Sequence, residues 1–241
     1  MDIEKHRRVA HGIGGLQENL RQIVFGGNDG IVTTFAVVAG FAGAQAEGTV
    51  QIGIVAVLIF GFANLFADAT SMGLGEFLSS RSEKDVYNAT RHREMELIRT
   101  EPEAEFEEVV AMLQQRNLAE GEARDLAGQL ARHTELMADF MMSYEFGMAN
   151  PDDSNPVVKG LYTFFSFLVF GLVPILPYAL GMPVSTAFQA SVAATAFALL
   201  MLGTFRGFVT REGMRRSILE TLLVGGTCAV VAYGVGWLIG G

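Results

Sequence analysis

Five runs in this chain are long and apolar enough to cross a lipid bilayer, and that leaves few folds open to it. A membrane-spanning helix needs about 20 mostly apolar residues. Ile23 to Ala46, Val50 to Glu76, Val158 to Met182, Pro183 to Phe205 and Ser217 to Gly240 all reach that length. In lipid each backbone N–H and C=O must find its partner inside the protein, so such runs fold as helices. The predicted fold class is an all-α membrane protein with five transmembrane helices. Met1 to Asn19 is polar and lacks an apolar core, so no cleavable signal is expected there and the first span itself directs insertion.

Between the second and third spans lies a segment of opposite character. Glu76 to Val157 holds 18 Asp or Glu against 8 Lys or Arg, whereas the rest of the chain holds 8 against 9, so the formal charge of −9 resides here. Carboxylates concentrated in a water-facing module point to cation handling, and a chain this acidic is not expected to bind nucleic acid. The predicted organisation is an N-terminal segment over 1–22, transmembrane helices one and two over 23–76, an acidic helical metal-binding domain over 77–157, and helices three to five over 158–241. Basic residues set the orientation. Lys5, Arg7, Arg8 and Arg21 precede the first span and Arg206, Arg211, Arg215 and Arg216 fill the loop before the last, while Gln45 to Thr49 and Gly181 to Ser185 carry none. With five crossings, the N-terminus and the insert fall on the cytoplasmic side and the C-terminus opposite.

Inside the insert the pattern predicts three helices. Glu76 to about Ile98 continues from the second span. Pro102 ends it and starts a second helix to about Arg116, with Phe106, Val109, Val110 and Leu113 as its apolar stripe. A third is predicted from about Glu122 to Gly147, with Leu126, Leu130, Met137 and Met141 on one side. Ala149 to Pro156 is a turn-rich linker. In the spans, small residues recur every four positions: Ala36, Gly40 and Ala44, then Ala63, Ala67, Ser71 and Gly75, then Gly226, Val230 and Gly234. Such strips predict close helix packing in a bundle or dimer. Pro174 and Pro177 predict a kink or hinge in the third span. Cys228 is the only cysteine; no intramolecular disulfide is open to it, and a buried small hydrophobe is its expected role.

Several side chains carry chemistry. Glu101, Glu105 and Glu108 project from one helix face, with Glu94 on the preceding helix; they form either a solvated acidic face or a cradle for a multivalent cation that offsets their repulsion. Met141 and Met142 precede Glu145 by one turn. They read either as gap-fillers of a small core or, with the carboxylates, as a soft and hard donor set that favours a transition metal over Mg²⁺ or Ca²⁺. Asp29 lies within the first span, where an ionisable group is a functional candidate by default. Met72 and Glu76 lie one turn apart on the second span, as a ligand pair or, for Glu76, an interfacial residue. Asp68 is a second carboxylate within that span, read as a possible proton site.

Gly27-Asn-Asp-Gly-Ile-Val-Thr-Thr34, Ser71-Met-Gly-Leu-Gly-Glu-Phe-Leu-Ser79 and Phe170-Gly-Leu-Val-Pro-Ile-Leu-Pro-Tyr178 together resemble the signature stretches of the vacuolar iron transporter family. The resemblance implies a homodimer of five-helix protomers that moves Fe²⁺ out of the cytosol, in exchange for protons, along a path between protomers. Fe²⁺, or Mn²⁺, Zn²⁺ or Co²⁺, is bound as cargo, and no prosthetic group is expected. The resemblance also implies roles by position. Asp29, Met72 and Glu76 match the path, and Glu94, Glu105, Glu108, Met141, Met142 and Glu145 match the ligands of the insert. A further glutamate of the family pattern falls at Leu97, which cannot ligate, so Glu96 or Glu101 compensates or the site has fewer ligands. Asp68 stands where a small residue is expected. The alternative class is a membrane-tethered ferritin-like iron-binding protein or di-iron oxidase, but such an enzyme needs Glu-x-x-His pairs. Ala89 precedes His92 and Leu130 precedes His133 at that spacing. A transporter, not an enzyme, in a prokaryotic inner membrane is the expectation.

Overall fold

The computed structural model describes residues 15–43, 50–151, 155–211 and 213–240. Lys5, Arg7, Arg8, Ala44, the loop Gln45 to Thr49, and Asp152 and Asp153 of the linker lie outside the described residues. Among the described residues there is no strand. The helices are α1 (Gly15–Glu18), α2 (Leu20–Gly43), α3 (Val50–Thr100), α4 (Pro102–Gln115), α5 (Glu120–Leu130), α6 (Thr134–Tyr144), α7 (Pro156–Ala179), α8 (Val184–Thr210) and α9 (Met214–Gly240). Five of them, α2, α3, α7, α8 and α9, are long and apolar enough to span a membrane. The chain divides into two compact units, Met1–Phe77 with Val157–Gly241, and Leu78–Pro156.

In the first unit α2 packs against α8 and α9, which pack on each other. Glycine permits its tightest crossings. A Cβ on Gly26 would stand 2.7 Å from the Thr163 carbonyl of α7, and one on Gly160 would stand 2.6 Å from the Gly73 carbonyl of α3. Phe167 and Leu65, both fully buried, seat α7 on α3, and Ile31, Ala198 and Leu202 fill the space between α2 and α8. α7 stays helical through Pro174 and Pro177. Neither proline has an N–H to donate, and the Ser191 hydroxyl of α8 donates to the Pro174 carbonyl at 2.6 Å, joining the two helices there.

These contacts fall on residues other than the predicted small-residue strips. Ala63, Ala67, Ser71 and Gly75 are exposed on α3. Ala36 and Gly40 of α2 and Ala63 and Ala67 of α3 line a groove of about 710 Å³. Small residues let backbones approach only where a neighbour is present, and within one chain that neighbour meets Gly26, Gly30, Gly73 and Gly160. Cys228 likewise corrects the expectation of burial. It is exposed on α9, whose outer face also presents Val224, Val230 and Val231.

The second unit has a real core despite its acidity. Ile98, Val109, Val110, Leu113, Ala123, Ala127, Leu130, Met137, Ala138 and Met141 form one buried cluster. The predicted third helix is two: α5 ends at Leu130 and α6 begins at Thr134, after His133 leaves helical geometry at φ −130° and ψ 84°. The His133 N–H donates to the Leu130 carbonyl at 2.9 Å, closing the turn between α5 and α6. Leu126, expected on the apolar side, is exposed, and Ala123 and Ala127 are buried with Leu130 instead. Arg124 clamps Glu107 through two bonds of 2.7 and 3.1 Å, tying α5 to α4.

Candidate functional site

Two groups of side chains stand out, one in each unit. In the first unit the polar groups of α2 and α3 face each other in antiparallel order. The Gln22 amide Nε2 donates to Glu76 Oε1 at 2.8 Å. Seven residues further along α2, Asp29 is within electrostatic reach of Asp68 on α3. The Asn64 amide Nδ2 donates to Asp68 Oδ2 at 2.7 Å, one turn further on. The groove lined by Ala36, Gly40, Ala63, Asn64 and Ala67 continues this line. Asp29, Met72, Glu76 and Asp68 are all half-buried. Met72 packs against the cluster of Leu65, Ala69 and Phe167. Of the three predicted path residues, Asp29 and Glu76 thus fall on one polar seam and Met72 lies between them in register. The buried amide of Gln22 is uncharged and carries no compositional signal; only its seven-residue spacing from Asp29, which places both on one helix face, could have revealed it.

A second charged pair in this unit is compensated. Glu220, near the start of α9, is bonded by Arg206 at 2.9 Å and Arg216 at 2.8 Å.

In the second unit the predicted acidic ligands gather on α3, on α4 and in the turn that follows α6. Glu94 of α3 and Glu105 of α4 are 4% and 7% exposed. One oxygen of each, Glu94 Oε1 and Glu105 Oε2, is buried with no hydrogen-bond partner. Burial first, then the bond with Glu105 and the charges of Glu105, Glu145 and Glu108, push the Glu94 carboxyl up to about 8. Burial and the neighbouring carboxylates thus favour the protonated form of Glu94. Glu105 is also raised, first by burial and then by Glu108 and Glu101, against the bond from Glu94. Glu145 is raised by burial and by Glu108 and Glu105. Glu108 and Glu145 are exposed, whereas Met141 and Met142 beside them are fully buried.

Buried carboxyls with unpartnered oxygens are costly, and a multivalent cation is the partner that removes the cost. Among the described residues, no three His, Cys, Asp or Glu side chains are set to hold an ion by themselves. A closed shell here would need the thioethers of Met141 and Met142 or an inward swing of Glu108 and Glu145. At the departure from the family pattern, Leu97 is half-buried and Glu96 is exposed. Of its two substitutes Glu101 is the one whose charge reaches Glu105.

Five membrane-length helices with carboxylates inside the spans, interrupted by a carboxylate-lined helical unit, define a polytopic membrane protein with two separate acidic sites. The model of the VIT family matches residues 20–237, and the chain belongs to that family. The vacuolar iron transporter of Centaurea cyanus is 34% identical over 218 residues, 90% of this chain and 86% of the relative. Vacuolar iron transporter 1 of Arabidopsis thaliana is 33% identical over 95% of this chain and 88% of the relative. The vacuolar iron transporter of Plasmodium falciparum is 32% identical over 91% and 82%.

Proposed function

We propose that this chain is a transporter of divalent transition-metal ions, chiefly Fe²⁺, that moves them out of the cytosol in exchange for protons. Its membership of a family whose relatives are named iron transporters supports metal transport rather than catalysis. The observation that carries the finer reading is the Glu94 and Glu105 pair, both buried and each with one oxygen left without a hydrogen-bond partner. A metal ion entering that site displaces the Glu94 proton, because ligand carboxyls must ionise to bind. The acidic unit collects ions on the cytoplasmic side. The seam of Glu76, Met72 and Asp29 carries them into the membrane, between the protomers of a homodimer. Relatives named vacuolar lend no support to a prokaryotic inner membrane.

The test is metal flux in liposomes holding the purified protein, with Fe²⁺, Mn²⁺ and Zn²⁺ compared with and without a pH gradient. Fe²⁺ should enter fastest, and faster when the receiving side is acidic. Absence of flux for every cation would remove the transport reading, and flux indifferent to the gradient would remove proton exchange alone.

A further inference from the structure

We infer that Gln22 is a positioning residue and a neutral oxygen ligand at the Glu76 end of the membrane pathway. The inference rests on the path reading above and adds a group to it. Gln22 is only 4% exposed although it lies two residues into α2. Its Nε2 donates to Glu76 Oε1 at 2.8 Å. A carboxylate can only accept, so the amide must turn its NH₂ toward Glu76 and its carbonyl oxygen away. That oxygen, Gln22 Oε1, is buried and has no hydrogen-bond partner.

An unpartnered buried acceptor is as costly as a missing bond, and a burial so close to complete leaves water little access to relieve it. Beside a carboxylate, the group that satisfies a neutral acceptor is a cation. Gln22 also sits at the same helical face as Asp29, two turns along α2, and opposite Glu76, one turn from Met72 on α3. The three oxygen-bearing groups therefore follow one another along the seam, with Met72 one turn from Glu76 on α3. Gln22 has two roles in it. Its N–H fixes the rotamer of Glu76, and its carbonyl oxygen supplies a hard, uncharged donor that loosens the hydration shell without holding the ion as firmly as a third carboxylate.

The test is concentration-dependent Fe²⁺ flux in liposomes for Gln22→Leu and Gln22→Met, which keep the volume but delete both polar atoms, with Glu76→Gln alongside. Losing a partner that orients a ligand typically costs about 10–100-fold in metal affinity. The half-saturating Fe²⁺ concentration should rise at least about tenfold in either Gln22 variant, at the low end of that range. The maximal rate should change less. In the Glu76→Gln background the Gln22 substitution should add less than it does in the wild type, because a neutral amide oxygen accepts the Gln22 bond more weakly than a carboxylate. Wild-type half-saturation in a well-folded Gln22 variant overturns the inference, as does a full additive effect on top of Glu76→Gln. If Glu76→Gln itself transports like the wild type, the path reading falls and Gln22 falls with it. Impaired Glu76→Gln beside unimpaired Gln22 variants defeats the Gln22 role alone. Should one Gln22 variant fail to give a monodisperse protein, the other decides.

Discussion

A carboxylate within a bilayer span costs at least about 2.5 kcal/mol by insertion scales, and Asp29 sits half-buried in α2 with Asp68 near enough to add repulsion. On the proposed path an ion shedding hydration water needs such a charge, and the insert serves only to collect ions. Asp29→Asn keeps shape and hydrogen-bonding capacity but deletes the charge, so it should abolish Fe²⁺ flux in liposomes, while loss of insert ligands only slows it. Wild-type flux through Asp29→Asn would make Asp29 structural. In the second unit, Glu105→Ala with Glu108→Ala removes two anionic donors. Titration of the full-length protein with Mn²⁺ as surrogate should show affinity at the insert reduced by well over tenfold, more than about 1.4 kcal/mol. Unchanged binding would remove these two glutamates from the metal site.

At the scale of helices, backbone proximity decides what the membrane unit tolerates. Gly160→Leu drives a side chain into the Gly73 carbonyl, which a Cβ alone would meet at 2.6 Å. Overpacking of this kind costs about 1–3 kcal/mol, so the variant should melt at lower temperature in detergent. Gly128→Ala on α5 has nothing within 4 Å of the added carbon; it should leave the melting temperature unchanged or raise it, since Ala is the better helix former by up to about 1 kcal/mol. The acidic unit has a distinct pH response. Glu94 moves from an ordinary 4.5 up to about 8 in the folded state, so the native unit holds a proton that the unfolded chain gives up. Stability from that group is full below the unfolded value and is lost as pH rises through the folded one. Without metal, hydrogen exchange at Ile98, Val109 and Met141, corrected for intrinsic rates, should show weaker protection at pH 8 than at pH 6. Added Mn²⁺ should restore it, and protection that rises with pH in metal-free protein would contradict the assignment.

For the whole molecule, the exposed strip of Ala63, Ala67, Ser71 and Gly75 and the groove between α2 and α3 leave small residues without a neighbour in one chain. Small residues on a lipid-facing surface gain nothing from lipid, whereas a second protomer packed there gains close van der Waals contact. The protein should therefore run as a dimer in mild detergent at micromolar concentration, by light scattering or native mass measurement. A purely monomeric species would leave the proposed path with one wall only.

Much of this molecule was legible in the chain alone, because bilayer thickness fixes the length of an apolar run and lipid leaves it no conformation but a helix. The five spans and the positions of Asp29 and the glutamates followed from that constraint and from i, i+4 spacing. The residues around His133 were not legible in this way: Leu130, Met137 and Met141 keep a helical spacing across the break, and only the turn that brings α6 back over the core separates α5 from α6. Burial was not legible either. Glu94, Glu105, Glu108 and Glu145 read alike as carboxylates in a polar stretch, yet the packing of α3 and α4 buries the first two and leaves the others exposed. That packing favours the protonated form of Glu94. The same holds for Gln22, a residue without charge or motif, which gains a role only because α2 and α3 bring it against Glu76. Sequence periodicity determines which side chains share a helix face; which faces meet, and so which polar atoms lose water, is decided by tertiary contacts between residues far apart in the chain.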